Sequence, residues 1–258
     1  MLPLLAKTYA LAGALAAPGR TRRIMQLKDR HRGQRCFLLG NAPSLLDFDL
    51  SKLAGEQFFV VKKGYKALER GLPAPIPYYV LSDLRGWNRI KADVSTLPVG
   101  TYLVRDTIAA RPEFRPPAER VVTFPGYRGG LRKQGFRHHP WQGLGNDSTV
   151  ILFAAQIAHY MGFAEAYILG VDLDYAQDTT YFYAAGQSET NQYVRPEDEI
   201  YGREFGILRR AFEADGRVLR NVGRGGAVMG LERADYDAVL ATPRAGDVTA
   251  PASTSPPM

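Results

Sequence analysis

The stretch Arg35-Cys-Phe-Leu-Leu-Gly-Asn-Ala-Pro-Ser44 is an apolar run that ends in a turn containing glycine and proline. Its composition predicts a β-strand over Arg35–Gly40 followed by a loop. Glycine lets a backbone approach a ligand closely, and the following amides and the Ser44 hydroxyl are donors suited to phosphate oxygens. We therefore predict a phosphate-facing loop at Gly40, Asn41, Ala42, Pro43 and Ser44, with an ordinary turn as the alternative.

Six more apolar runs follow and alternate with segments of helical character. The predicted strands are Phe58–Lys62, Tyr78–Leu81, Thr101–Arg105, Arg120–Phe124, Ala166–Val171 and Val218–Val222. The predicted helices are Lys66–Arg70, Ser148–Met161 and Glu199–Asp215, with a short helix or turn over Leu45–Leu53. This alternation favours a parallel sheet covered by helices. The sequence thus predicts an α/β fold: a single domain with a Rossmann-like, mostly parallel sheet and a loop-rich lid region.

Composition divides the 258 residues into three regions. Residues 1–34 are interpreted as an apolar and then basic helical segment, and residues 35–241 as a nucleotide-binding domain. Residues 242–258 are rich in Pro, Ala, Ser and Thr, which predicts a disordered tail. The single cysteine, Cys36, rules out a disulfide framework within the chain and favours a reducing compartment, the cytoplasm.

The formal charge of +7 is concentrated near the amino terminus. The basic residues there are Arg20, Arg22, Arg23, Lys28, Arg30, Arg32 and Arg35. Such a patch favours anionic partners, whether nucleic acid, anionic lipid or a nucleotide, and no nucleic-acid motif accompanies it. The apolar residues 1–17 are too few for a spanning helix and precede the positive charge, unlike a secretory signal. We expect peripheral contact with the inner face of a bacterial cytoplasmic membrane, or with a partner subunit, through residues 1–35.

Polar residues follow several of the predicted strands, where open parallel sheets bind their ligands. Lys62 is placed to neutralise a phosphate, or else lies at a solvated strand end. Ser82 and Asp83 end the next strand, and Asp83 either holds a ribose or base group or caps the following helix. Asp172 and Asp174 alternate along an extended segment and are suited to one Mg²⁺ ion, or else shape a loop.

Histidines and tyrosines in two loops are further candidates. His139 lies next to His138 in a basic stretch and is a candidate general base, although exposed loop histidines are common. Tyr175 and Tyr181 lie six residues apart in a loop after Asp172. Their hydroxyls are suited to hydrogen-bonding a phosphate, and aromatic packing within the loop is the alternative.

Three blocks together resemble a known pattern. They are Arg35–Leu45, the run from Gln156 through Gly-Val-Asp172, and Gly216–Asn221 with Gly225-Gly226. The pattern resembles the MptE-like 6-hydroxymethylpterin diphosphokinase family of bacterial surface-polysaccharide clusters, and more distantly the family 42 sialyltransferases. The resemblance covers residues 35–240.

The resemblance implies several site roles. It implies that Gly40, Asn41 and Ser44 contact a nucleotide, that Ser148 and Thr149 at a helix start approach it, and that Asp172 lies beside it. It also implies that Tyr175 and Tyr181 bind the phosphate of the departing nucleotide, since two loop tyrosines of the sialyltransferases do so at a similar spacing.

Two departures from the family pattern concern base recognition and the general base. Lys62 stands where relatives carry an asparagine. The sequence before the last helix offers no histidine to act as the general base. Glu197, Asp198 or Glu199 are the possible substitutes, and Asp172 and His139 are the other catalytic candidates.

The leading expectation is a glycosyltransferase that moves a sugar from a CMP- or other nucleotide-linked donor to a surface-glycan acceptor. The first alternative is diphosphoryl transfer from ATP to a pterin alcohol, with Mg²⁺ held by Asp172 and Asp174. The second is a catalytically inactive nucleotide-binding accessory protein. No nucleic-acid partner is expected.

Overall fold

A computed structural model of the chain describes residues 18–127, 130–145, 147–173, 181–183 and 198–244. The strands are β1 (Arg35–Leu39), β2 (Gln57–Val61), β3 (Ile76–Leu81), β4 (Val99–Arg105), β5 (Val121–Phe124), β6 (Gly126–Tyr127), β7 (Leu144–Gly145), β8 (Glu165–Leu169) and β9 (Val218–Asn221). Seven of them form one parallel sheet in the order β5-β4-β3-β2-β1-β8-β9, and β6 pairs with β7 in a small ribbon. The predicted α/β fold with a Rossmann-like parallel sheet is confirmed.

The strand order reverses beside β1. The chain lays down β1 to β5 outward in one direction and then returns to place β8 against the other edge of β1. Leu39 at the end of β1 lies opposite Leu169 at the end of β8. In open parallel sheets a crevice forms outside the carboxyl ends of the strands at such a reversal. The topology therefore directs attention to the residues that follow β1 and β8.

Helices cover both faces of the sheet. The α-helices are α1 (Pro18–Met25), α2 (Leu84–Val94), α3 (Asp106–Ala109), α4 (Gly130–Gln134), α5 (Val150–Tyr160), α6 (Asp198–Ala214) and α7 (Tyr236–Ala241). Short 3-10 helices span Pro43–Asp47, Leu50–Leu53, Lys62–Arg70, Ala118–Arg120, Pro140–Gln142 and Ala227–Met229. None of the helices in the described ranges is long and apolar enough to cross a bilayer.

Alternate residues of β1 enter two hydrophobic cores, one on each face of the sheet. Cys36 and Leu38 pack in the core that contains α5 and α6, whereas Phe37 and Leu39 pack in the core that contains α2 and α7. All 11 residues of α5 are buried. A helix that is buried on every side must be mostly apolar, and its two polar residues, Gln156 and His159, hydrogen-bond to backbone carbonyls.

The described part of the amino-terminal segment packs on the domain. Ile24 and Leu27 are buried in the same core as α5. The amides of Asp29, His31 and Gly33 donate to the carbonyls of residues 160, 161 and 162. A domain boundary at residue 34 stays a prediction, and so does the tail, most of which lies outside the described residues. Thr242 is described, and its carbonyl and hydroxyl oxygens accept hydrogen bonds from Arg35.

Helix α2 is an element that the sequence pattern did not reveal. Trp87, Ile90 and Val94 are its buried residues, and they recur at helical spacing. Asp83 caps the first turn. Three charged residues, Arg89, Lys91 and Asp93, lie between these positions and obscure the apolar period.

Candidate functional site

A cavity opens where the strand order reverses. Its walls come from the residues after β1, β2 and β8 and from the start of α5. They are Gly40, Asn41, Ala42, Val61, Lys62, Thr149, Ile151, Gly170, Val171, Asp172, Leu173 and Tyr181. The structure thus brings together residues of the predicted loop, Lys62, Thr149, Asp172 and Tyr181. We call this space the first cavity.

A second cavity adjoins the first. It is lined by Asn41, Lys62, Lys63, Asp83, Gly86, Arg89, Ile90, Tyr181 and Tyr183. Asn41, Lys62 and Tyr181 line both cavities, so the two spaces form one cleft along the carboxyl ends of β1, β2 and β3.

Position 40 must be glycine because the chain after β1 lies very close to the chain after β8. A Cβ atom on Gly40 would lie 2.1 Å from the Gly170 carbonyl oxygen and 2.6 Å from the Val171 Cγ2 atom. The Gly40 amide donates to the Leu169 carbonyl and the Ala42 amide to the Gly170 carbonyl, each at 2.9 Å. The interpretation of these amides as phosphate donors therefore needs correction, because both are used to join the end of β1 to the end of β8.

Ser44 and Asp172 are bonded to each other. The Ser44 amide donates to Asp172 Oδ2 at 3.1 Å, and the Ser44 hydroxyl donates to Asp172 Oδ1. A Cβ atom on Gly225 would lie 2.5 Å from that same Oδ1 atom, so the glycine-rich 223–226 segment closes over the carboxylate. Pro43 begins the 3-10 helix that carries Ser44. Asp172 thus holds two loops in place, which is the loop-shaping role given above as the alternative to metal binding.

Lys62 has an unusual backbone. Its φ of 48° places it in the left-handed region, which non-glycine residues seldom adopt and which often marks functional positions. Its carbonyl accepts a hydrogen bond from the Tyr79 hydroxyl. Burial lowers the pKa of the Lys62 ammonium, with a further lowering from Arg89 and an opposing effect of Asp83.

Asp83 serves as the cap of α2. Its carboxylate accepts the amides of Arg85 at 3.0 Å and Gly86 at 3.1 Å. The carboxylate also faces the second cavity. The helix-cap alternative is therefore what the structure shows, while Ser82 is buried outside the lining of either cavity.

Residues 181–183 form an aromatic wall against Asn41. The rings of Tyr181 and Tyr183 stack with centroids 5.2 Å apart, and the Phe182 amide donates to the Asn41 carbonyl at 3.2 Å. The Asn41 side-chain amide contacts the Tyr183 hydroxyl at 3.3 Å. Burial raises the pKa of Tyr183, so its hydroxyl keeps its proton and remains a donor. Tyr183 is a site residue that the sequence pattern missed, because only Tyr175 and Tyr181 matched the family spacing.

The start of α5 is held by a buried carboxylate from α6. Thr149 occupies the N-cap position without capping through its side chain, and it faces the first cavity. The preceding Ser148 amide donates to Glu204 Oε2 at 3.2 Å. Glu204 is only 1% exposed and also accepts from Arg132 at 3.1 Å. The Ser148 amide is therefore used within the protein, and Glu204 is a second residue missed from sequence.

Asp147 lies beside this contact. It accepts the Leu131 amide at 2.6 Å and contacts Gln156 at 3.5 Å. Burial raises the pKa of Asp147 to about 6, and the charge of Glu204 adds to the rise. Two carboxylates thus sit behind the helix start that borders the first cavity.

The other predicted residues lie apart from the cleft or outside the described residues. His139 is exposed and stacks on Trp141 with ring centroids 4.6 Å apart. Asp198 is exposed in the first turn of α6. Neither lines the two cavities. Asp174, Tyr175 and Glu197 lie outside the described residues. Within the described ranges, no three His, Cys, Asp or Glu side chains are grouped to hold a metal ion.

Comparison with known proteins gives a likeness in fold. The sequence matches no protein-family model and no curated protein. A solved structure of the sialyltransferase CstII from Campylobacter jejuni with cytidine-5'-monophosphate aligns over 78% of this chain and 85% of that one, at 14% identity and a TM-score of 0.50.

A glycosyltransferase called MAf from Magnetospirillum magneticum AMB-1 aligns over 83% of this chain, at 16% identity and a TM-score of 0.48. This chain spans 38% of the length of that protein. The alignment with the sialyltransferase CstII shows that the two chains have a similar fold.

Proposed function

We propose that this protein is a glycosyltransferase that uses a nucleotide-activated sugar. The observation that supports the proposal most is the two-cavity cleft at the strand reversal, lined by the Gly40–Ala42 loop, Thr149 and Lys62. A similar fold is found in a sialyltransferase crystallised with CMP. The donor is a CMP-linked or other nucleotide-linked sugar, and the acceptor is a surface glycan.

Donor binding uses side chains more than backbone amides. Lys62 offers a cation to the leaving phosphate, while the Thr149 and Tyr181 hydroxyls offer hydrogen bonds from opposite walls of the first cavity. Tyr175 is a further phosphate ligand carried over from the family resemblance. A positive charge placed where negative charge develops on the leaving phosphate stabilises the transition state.

The acceptor hydroxyl needs a proton acceptor. The candidates are Glu197, Asp198 and His139, with Asp172 as a fourth. Asp172 already accepts two hydrogen bonds from Ser44, so its oxygens are less available than those of the other three. We therefore assign Asp172 to holding the cleft together, and the base to residues 197–198 or His139.

The test is ligand binding followed by turnover. CMP, UDP, GDP and ATP are added to the full chain with and without EDTA, because a ligand that binds only the folded state raises the melting temperature. We expect one pyrimidine or purine nucleotide to raise it regardless of chelator, and the corresponding nucleotide sugar to be hydrolysed or transferred. A protein that binds none of the four, or that binds ATP only with Mg²⁺, contradicts the proposal.

The diphosphotransferase alternative has less support. It needs Asp172 and Asp174 to share Mg²⁺, yet both Asp172 oxygens accept hydrogen bonds from Ser44. The residues fit a loop anchor better than an open metal site. A nucleotide-binding protein without catalysis would bind in the same panel and show no turnover.

Peripheral membrane contact is part of the same proposal. Met25 is exposed, and so are four basic residues near it in the sequence: Arg22, Lys28, Arg30 and Arg32. Basic residues at a membrane surface are attracted to anionic lipid. We expect the full chain to co-sediment with vesicles that contain phosphatidylglycerol and not with phosphatidylcholine alone. Equal binding to both vesicles, or to neither, contradicts this part.

A further inference from the structure

The second cavity has an excess of positive charge. Lys62, Lys63 and Arg89 line it, and Asp83 is the one carboxylate among its described lining residues. All three cations are half-buried. Burial lowers the pKa of both lysines, and the charge of Arg89 contributes to the lowering in each case. Arg89 thus acts against both lysines, while Asp83 raises the pKa of Lys62 and Asp93 raises that of Lys63.

Asp83 offsets part of this charge, since it raises the pKa of Lys62, but it is also the cap of α2. Both of its oxygens accept amides at the start of α2, from Arg85 and Gly86. The stacked rings of Tyr181 and Tyr183 form the facing wall. A wall of this kind excludes water and strengthens attraction between a cation and an anionic ligand. The cavity is thus complementary to a negatively charged group.

The two cavities open into each other. Asn41, Lys62 and Tyr181 belong to both linings, so one ligand can extend from the first cavity into the second. If the nucleotide phosphate occupies the first cavity, the second cavity is available to the part of the donor beyond that phosphate.

We propose that the second cavity binds a second anionic group of the donor, held by Lys62, Lys63 and Arg89. The group is either the carboxylate of an acidic sugar or the second phosphate of a nucleoside diphosphate. Both are oxyanions that lysine and arginine bind with charge-assisted hydrogen bonds. This inference rests on the proposed function and adds to it the charge of the donor.

Paired ligands that differ by one charged group provide the test. Isothermal titration calorimetry compares CMP with CDP, UMP with UDP, and UDP-glucose with UDP-glucuronate on the full chain. We expect the more anionic member of at least one kind of pair to bind about tenfold more tightly, as charge-assisted hydrogen bonds predict. A preference for UDP-glucuronate identifies a carboxylate, and a preference for the diphosphates identifies a second phosphate.

Variants then assign the preference to the cavity. Arg89→Met and Lys62→Asn should abolish it, and asparagine tolerates the left-handed backbone at position 62. Lys91→Met is the matched control, since Lys91 lies on the same helix and pairs with Glu113 at 3.0 Å away from the cleft. The control should keep both the affinity and the preference.

The outcomes separate this inference from the function. If the nucleotides bind but no pair shows a preference, or the preference survives in Arg89→Met and Lys62→Asn, the second anion site is overturned and nucleotide binding stands. If no nucleotide binds to the wild-type chain, the proposed function fails and the inference falls with it.

Discussion

At the scale of single residues, the contact between Ser44 and Asp172 determines how the cleft is built. The serine follows β1 and the aspartate follows β8, so their two hydrogen bonds tie together the ends of neighbouring strands. A carboxylate that accepts from an amide and a hydroxyl fixes the loop more firmly than either bond alone. The pair therefore joins two walls of the cleft.

Replacing Ser44 by alanine tests this role. Ser44→Ala removes the hydroxyl bond from a half-buried carboxylate, and we expect a loss of about 1–2 kcal/mol in the free energy of unfolding. Ser51→Ala is the control, because Ser51 makes the same kind of bond to the exposed carboxylate of Asp49. For Ser51→Ala we expect the free energy of unfolding to fall by less than about 0.5 kcal/mol. Urea unfolding measures both, and equal losses would contradict the role.

At the scale of elements, one helix holds the start of another. Glu204 lies in the middle of α6 and reaches the amide that precedes Thr149 at the start of α5. The Ser148 amide lies just before the N-cap and needs an acceptor from elsewhere, which Glu204 supplies. The position of Thr149 in the first cavity therefore depends on how α6 packs.

Removing this acceptor should affect both stability and binding. Glu204→Ala removes the carboxylate that the Ser148 amide and Arg132 contact. We expect the free energy of unfolding to fall by about 2–3 kcal/mol. Glu213→Ala on the same helix removes an exposed pair with Arg209 and should cost at most about 0.5 kcal/mol. Nucleotide affinity should fall in Glu204→Ala after correction for the unfolded fraction. An unchanged affinity would show that the helix start is held by other contacts.

The sequence predicts some elements better than others for a physical reason. The central strands β1, β2, β3 and β8 are buried on both faces, so they are nearly continuous apolar runs that stand out from their neighbours. Helix α2 buries only one side, and charged residues separate its three buried residues. The contacts of the cleft depend on partners far apart in sequence. Nothing near Ser148 indicates that its amide is taken by Glu204, and nothing near Gly40 indicates that its amide is taken by Leu169.

At the scale of the whole molecule, two buried groups give the folded state opposite responses to acid. Burial lowers the pKa of His159 to about 4, with Arg217 and His138 adding to the effect and Asp215 opposing it. A lowered histidine pKa contributes stability above about 6.5 that is lost as the pH falls through 4. The pKa of Asp147 is raised to about 6, so its contribution is present below about 3.8 and lost as the pH rises through 6.

The two contributions should nearly cancel in the wild-type chain between pH 4 and 6.5. Each group changes the free energy of unfolding by about 3 kcal/mol across its pH range, as follows from the size of its pKa shift. Relative to wild type, His159→Gln should gain stability as the pH falls through this range, and Asp147→Asn should lose it. Urea unfolding at pH 4, 5, 6 and 7 measures the two slopes. Parallel slopes for the two variants would rule out this balance.

The pairing of β1 with β8 also sets when the cleft can exist. One wall of the first cavity follows β1, close to the amino terminus, and the opposite wall follows β8, which the ribosome synthesises much later. Domains synthesised from the amino terminus can form local contacts early, but contacts between distant segments must wait. A nascent chain that ends before Glu165 therefore has no complete pocket. A ligand that binds the complete pocket can therefore stabilise only chains that extend past β8.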